Sequence, residues 1–334
     1  MKKWLMIEIL ILAVLIVVAV AVCGNLDRPA SAPALVQTSD VPEQTTAPVT
    51  QEPAPTWMTL PEDRTLTAAQ YFVYDCSSES FVSLSGTQNE RVYPASITKL
   101  FTAYVALQYV QPDSRITAGD ALEMVVWGSS VADIEKGDIL TAQQLVEAML
   151  LPSGNDAAYL LATEAGRIIG GNPELPAAEA VDVFMYEMNL QAQSVGMTDT
   201  HFVNPDGIHD ENHYSTFRDL AILGKLAMEN TTIMRYANLS HDSVMVASIN
   251  QEESTLTGQP KEWKNTNALI DPASPYYCPY AVGLKTGQTP TAGSCLLSAF
   301  ASPMGNYIIG VFGCPEVEDR FADTLQLFNR TIGK

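Results

Sequence analysis

Residues 92–107 read Val-Tyr-Pro-Ala-Ser-Ile-Thr-Lys-Leu-Phe-Thr-Ala-Tyr-Val-Ala-Leu, and the reading of the whole chain works outward from them. Pro94 suits the first turn of a helix and is expected to leave Ala95 extended. Leu100, Ala103, Tyr104 and Leu107 then recur at i, i+3, i+4, i+7, an amphipathic helical spacing. Ser96 falls in the first turn and Lys99 one turn later on the same face. A hydroxyl and an amine stacked this way can share a proton. If the amine is held neutral, it can deprotonate the hydroxyl as that attacks a carbonyl. The helix N-terminus adds backbone N–H groups and a positive dipole end beside a developing oxyanion.

Taken alone, Ser-x-x-Lys also describes a helix cap and a solvated lysine. Two further triads change its weight. Ser153-Gly154-Asn155 follows an amphipathic stretch, and Lys285-Thr286-Gly287 precedes a run that reads as a strand. The three in this order are the signature of β-lactamases and penicillin-binding proteins, which the chain therefore resembles.

The flanking sequence supplies a frame for these triads. Gln70–Asp75 and Ser80–Leu84 read as two strands of a hairpin joined by a Ser-rich turn. Gln111-Pro112-Asp113 breaks the chain after the nucleophile helix. Thr141 is an N-cap with Gln144 as its capping-box partner, on a helix that Pro152 stops at Leu151. Helices are expected over Asp156–Ile168, over Ala178–Val195 with Gly196 ending it, and from Thr216 and Asp219 to Met228. No strand is read among these helices, so a mainly helical subdomain is expected over about 110–230. Tyr280–Thr286, Ser294–Ala301 and Tyr307–Phe312 then read as antiparallel strands, and Glu318–Arg330 as a closing amphipathic helix. Strands at both ends with helices between imply an α+β fold. One antiparallel sheet is built from distant segments, flanked by terminal helices and carrying the helical insert.

The 334 residues are 47% hydrophobic, enough for one large core or two modest ones. With 38 acidic against 18 basic residues the net charge is −20, and no basic stripe is visible, which excludes a nucleic-acid partner. Residues 1–23 begin with two lysines and continue as an apolar run broken only by Glu8. They read as a signal anchor or, if cut after Ala19-Val20-Ala21, as a signal peptide. Val22 is too bulky for lipid attachment at Cys23. Residues 24–62, rich in Pro and Thr, read as a disordered linker, and 63–334 as the catalytic domain. The five cysteines form no metal-ligand pattern. Cys295 and Cys314 would fall nearly opposite each other across a hairpin, as a disulfide or as two small buried thiols.

Beyond the triads, residues 65–332 look like a serine-type D-alanyl-D-alanine carboxypeptidase of the low-molecular-mass penicillin-binding protein family. Met149–Ala158 is close to the family's second motif. Thr200–Gly207 and His213–Thr216 resemble its middle segment, and Asn265-Thr266-Asn267, Gly283–Gly287 and Ala292-Gly293 the surroundings of its third motif. The resemblance implies that Ser96 attacks the carbonyl between two terminal D-alanines of a peptidoglycan stem peptide, with Lys99 as base. Burial and the nearby Lys285 are expected to lower the pKa of Lys99. Ser153 would relay a proton to the leaving amine, and Asn155 would hold Lys99 and the substrate amide. Lys285 and Thr286 would bind the terminal carboxylate, Gly287 would leave room along the strand edge, and the N–H groups of Ser96 and Gln288 would form the oxyanion hole. No cofactor or metal is implied, and β-lactams would acylate the same serine.

Two departures from the family pattern stand out. Gln288 follows Lys-Thr-Gly where an aromatic residue or His is commoner, and the C-terminal β-domain of many relatives is not seen, so the N-terminal segment would supply any tether to the membrane. The expected location is the extracytoplasmic face of the bacterial membrane, or secreted if the signal is cut. D,D-endopeptidase, β-lactamase and non-catalytic wall-sensor readings stay open. A zinc peptidase is disfavoured, because Asp210 and not Glu follows His209 in the His209…His213 pair.

Overall fold

The computed structural model describes residues 65–250 and 255–331, and the readings made for residues 1–62 lie outside them. The chain begins with the expected hairpin, β1 (Gln70–Asp75) and β2 (Ser80–Leu84), followed by a short β3 (Arg91–Val92). A 3-10 turn at Ala95–Ile97 leads into α1 (Thr98–Ala106), and β4 (Arg115–Thr117) and β5 (Asp138–Thr141) follow. Next come the helices α2 (Ala142–Leu150), α3 (Asn155–Ile169) and α4 (Ala177–Ser194), then β6 (Ser215–Thr216), α5 (Phe217–Glu229) and α6 (Thr231–Ala237). A long hairpin, β7 (His241–Asn250) and β8 (Thr255–Lys264), precedes β9 (Ala281–Thr289), β10 (Gly293–Ser302), β11 (Gly305–Cys314) and α7 (Asp319–Thr331).

The main sheet has five antiparallel strands in the order β2-β1-β11-β10-β9, so the first and last segments of the described chain pair in its middle. Alternation along the strands feeds two cores. Phe72 joins Phe217 of α5 and Phe312 on one face, at ring distances of 5.4 and 6.2 Å. Val73, Leu296, Phe300, Ile309 and Val311 face the other way, onto Phe321, Leu325 and Phe328 of α7. Phe300 stacks on Phe328 at 4.6 Å. Because β10 and β11 are covered on both faces, their sequences read as continuous apolar runs.

Local signals fixed the helix ends. The Thr141 hydroxyl accepts from Gln144 N–H while the Gln144 side chain accepts from Thr141 N–H, the full capping box. Thr216 caps α5 by accepting from Asp219 N–H. After α4, Gly196 N–H donates to Gln193 O and Met197 N–H to Ala192 O, a Schellman closure.

Two expectations fail. The stretch read as strand-free contains β4, β5 and β6, and the first two join β7 and β8 in a separate four-stranded sheet of order β4-β5-β7-β8. These strands are too short to show a period of their own. β5 is held instead by β7, with Asp138 opposite Ser248, a pairing no local window contains. Ala95 is not extended but sits at φ +49°. A proline constrains the residue before it, here Tyr93, and leaves the residue after it free. The four described cysteines, Cys76, Cys278, Cys295 and Cys314, are free thiols.

Candidate active site

The Ala95–Ser96 turn is set by its neighbours more than by its own sequence. Gly287 of β9 lies so close that a Cβ there would stand 2.8 Å from Pro94 O and 3.2 Å from Ser96 N. A Cβ on Gly207 would stand 1.9 Å from Ala95 O and 2.9 Å from Ser96 N. Two residues without side chains thus clamp the Ala95–Ser96 backbone, and Gly207 also needs its φ of +87°. Within the clamp, Lys99 Nζ lies 2.9 Å from Ser96 Oγ and donates to Asp206 O at 2.7 Å.

Lys99 is completely buried. Burial pulls its pKa down to about 8, while the carboxylates of Asp206 and Asp156 act the other way. Lys285, also buried, is pushed well below the usual lysine range by burial first and then by the charges of Lys99 and Arg320. The two cations repel each other, so each disfavours protonation of the other, and burial is the largest cause for both.

The second triad occupies the turn between α2 and α3. Ser153 sits at φ +68°, a conformation that costs a non-glycine residue on the order of 1–3 kcal/mol and persists only where its surroundings impose it. Gly154 N–H donates to Ala148 O, Asn155 N–H to Ser130 O, and the Ser130 hydroxyl to Pro152 O at 2.8 Å. Asp156 takes backbone N–H bonds from Ala132, Ile134 and Ala157, tying the 128–134 loop to the start of α3. Asn155 Oδ1 is buried without a hydrogen-bond partner, so the bond expected between Asn155 and Lys99 is not made in this structure.

The third triad lies on β9, the edge strand of the main sheet. Lys285 Nζ donates to Thr286 O at 3.2 Å, and Thr286 Oγ1 meets Thr266 Oγ1 at 2.5 Å. Arg320, from the first turn of α7, donates to Gly287 O at 3.3 Å, and its Nε is buried with no partner. Ser96, Ser153, Asn155, Thr286, Gly287, Gln288 and Arg320 all line one cavity of about 360 Å³. Lys99 and Lys285 lie buried beside its residues. The expected oxyanion donors, the N–H groups of Ser96 and Gln288, thus belong to residues of one cavity.

Reading the sequence for motifs missed Arg320 and Asp206. A trace of the first exists: a cation in the first turn of a helix opposes the helix dipole, which suggests a partner outside the helix. His213, one of the two histidines of the disfavoured zinc pair, is buried. Its Nδ1 accepts from Val203 N–H and its Nε2 meets Thr98 Oγ1 at 2.8 Å, so both ring nitrogens are engaged. No group of three or more metal-ligating side chains occurs among the described residues.

A serine paired with a buried amine, a Ser-x-Asn turn and a Lys-Thr-Gly edge strand on this α+β frame define the class of active-site-serine acyl transferases that recognise penicillin. The chain belongs to the D-alanyl-D-alanine carboxypeptidase family, whose sequence pattern matches residues 57–314. It is 34% identical over 242 residues to a D-alanyl-D-alanine carboxypeptidase of a Streptomyces strain, which covers 70% of this chain and 77% of that one. It is 29% identical over 248 residues to the D-alanyl-D-alanine carboxypeptidase DacF of Bacillus subtilis, covering 72% of this chain and 56% of the relative. Among solved structures, a Streptomyces DD-transpeptidase superposes with a TM-score of 0.70 at 28% identity, over 81% of this chain and 99% of its own.

Proposed function

We propose that this protein is a serine D,D-carboxypeptidase that removes the terminal D-alanine from peptidoglycan stem peptides through an acyl-enzyme on Ser96. The observation that carries the reading is the 2.9 Å contact between Ser96 Oγ and an amine whose burial holds it near neutrality. Lys99 takes the serine proton as Oγ attacks the penultimate carbonyl carbon. The oxyanion forms against the N–H groups of Ser96 and Gln288, and one such donor is typically worth about 100- to 1000-fold in rate. Ser153 passes a proton to the departing D-alanine amine, and Asn155 holds the substrate amide. Thr286 and Arg320 line the cavity and the Lys285 amine lies against Thr286, so two cations and a hydroxyl are available to a free carboxylate. Water then hydrolyses the ester.

The solved Streptomyces enzyme is called a transpeptidase, which supports a second reading in which an amine replaces that water. One experiment tests both. The protein is incubated with a diacyl-lysyl-D-alanyl-D-alanine peptide, with and without glycyl-glycine, and released D-alanine and the products are measured. The serine that carries a bound penicillin is mapped by mass spectrometry in parallel. D-alanine release with the adduct on Ser96 is expected, and an adduct on any other serine would refute the assignment. The same reading holds the catalytic unit outside the cytoplasm. Its support is the lysine-led apolar run of residues 1–23, as anchor or cleaved signal. Among the described residues no helix is long and apolar enough to cross a membrane.

A further inference from the structure

Asp206 lies in the Asn204-Pro205-Asp206-Gly207 turn and is only 1% exposed. The turn is pinned to α1 by Thr102 Oγ1, which donates to Pro205 O at 2.7 Å. It is closed on itself by the Asn204 side chain, which accepts from Gly207 N–H and donates to Ile208 O. One carboxyl oxygen of Asp206 accepts from Ile208 N–H at 3.1 Å, whereas Oδ2 is buried with no partner. A bare buried carboxyl oxygen costs on the order of 1–3 kcal/mol and calls for a reason. Burial pushes the pKa of this carboxyl up, while the charge of Lys99, whose amine donates to the backbone carbonyl of the same residue, pulls it down.

We propose that Asp206 is a positioning residue for the Lys99 base: its backbone carbonyl fixes the amine against Ser96, and its carboxylate stabilises the ammonium that Lys99 becomes. In that step the Ser96 O–H bond breaks and an N–H bond forms at Nζ, while the oxygen's electron pair makes the new bond to the acyl carbon. The positive charge created at Nζ needs a counter-charge inside a dry site, where it acts with little screening. The inference rests on the assignment of Ser96 and Lys99 above.

Other groups surround the amine, and none fills this role. Asp156 of α3 already gives its oxygens to backbone N–H groups of Ala132, Ile134 and Ala157. Lys285 of β9 is a like charge and opposes protonation of Lys99. His213, pushed down to about 3 by burial, is uncharged at working pH. Tyr159 of α3 faces Asp206, and burial holds its phenol protonated.

The test is the pH dependence of the second-order rate of acylation by benzylpenicillin. In the wild type the rate rises as Lys99 loses its proton, with a midpoint near its pKa of about 8. A carboxylate beside the amine favours the charged form, so Asp206→Asn should move the midpoint down by about one pH unit. The high-pH plateau should fall roughly tenfold, because the ammonium loses its counter-charge. Asp206→Glu, which keeps the charge, should hold the wild-type midpoint. If the amide impairs folding, as judged by urea unfolding, Asp206→Ser provides the neutral variant and should show the same downward shift. An unshifted midpoint in the neutral variant overturns the inference alone. A wild-type protein that takes up no penicillin overturns the reading beneath it.

Discussion

Gly207→Ala tests whether the nucleophile is held by a clamp or by its own helix. The substitution acts twice. At φ +87° an L side chain is strained, at a cost of about 1–2 kcal/mol. Its Cβ would also stand 1.9 Å from Ala95 O and 2.3 Å from Ala95 C, both backbone atoms that cannot rotate away. Restoring ordinary contact requires the Ala95–Ser96 backbone to move by about 1 Å or more, and overpacking of this kind costs roughly 1–3 kcal/mol. Gly287 also packs closely on Pro94 O and Ser96 N, so the shift is expected to reach the Ser96–Lys99 contact. The sum is a loss of roughly 2–5 kcal/mol in stability, and a misplacement of about 1 Å costs on the order of 100-fold in rate. Gly171→Ala is the matched control, since Gly171 has φ +64° and nothing within 4 Å of a built Cβ. It should show the backbone cost alone, about 1 kcal/mol, with normal acylation. Fluorescent-penicillin acylation kinetics and urea unfolding read the two effects. Acylation of Gly207→Ala within about threefold of wild type would refute the clamp.

Lys285→Ala should slow turnover of a substrate with a free terminal carboxylate by roughly 10- to 100-fold, the worth of a charge-assisted hydrogen bond, and that of its amidated analogue far less. Equal losses in kcat/KM on the two substrates would argue against a carboxylate socket. Glu147→Gln concerns stability. Burial first, and then Asp242 beside it, raise the Glu147 pKa from 4.5 to about 8. A folded-state pKa above the unfolded value gives stability that is complete below about pH 4.5 and is lost as pH rises through about 8. Glutamine does not titrate, so its stability relative to wild type should improve by roughly 3–4 kcal/mol between pH 5 and pH 8. A urea-unfolding difference that is the same at both pH values would refute the buried protonated carboxyl.

Legibility of the fold followed the range over which each signal acts. The capping box at Thr141, the Thr216 cap and the Gly196 closure lie within a few residues of the ends they set, and the sequence reading placed them correctly. The main-sheet strands were found because turns bound them on both sides. The second sheet was lost because β5 gains its order from β7, and β4 in turn from β5. That hairpin did carry a sign of its own: Val244 and Val246 point inward while Met245 between them is 63% exposed. Pro260, opposite Met245 in β8, weakened the strand pattern there, yet β8 is an edge strand, where a missing N–H donor is tolerated.

The site divides along a similar line. Side chains in fixed motifs are legible in a sequence: Ser-x-x-Lys pairs a hydroxyl with an amine, Ser-x-Asn adds a second hydroxyl and an amide, Lys-Thr-Gly adds a cation, and residues of all three meet at one cavity. What holds them there could not. Asp206 contacts Lys99 through a backbone carbonyl, an atom every residue possesses, and Gly207 and Gly287 act by lacking a side chain. Arg320 reaches the cavity from a helix that the sequence presents as an ordinary amphipathic cover. The hydroxyl is therefore placed by contacts that have no residue-type signature, and only the folded chain gathers them around Ser96 and Lys99. That is why substitutions at the clamp, rather than in the triads, are the sharper test of how this site is built.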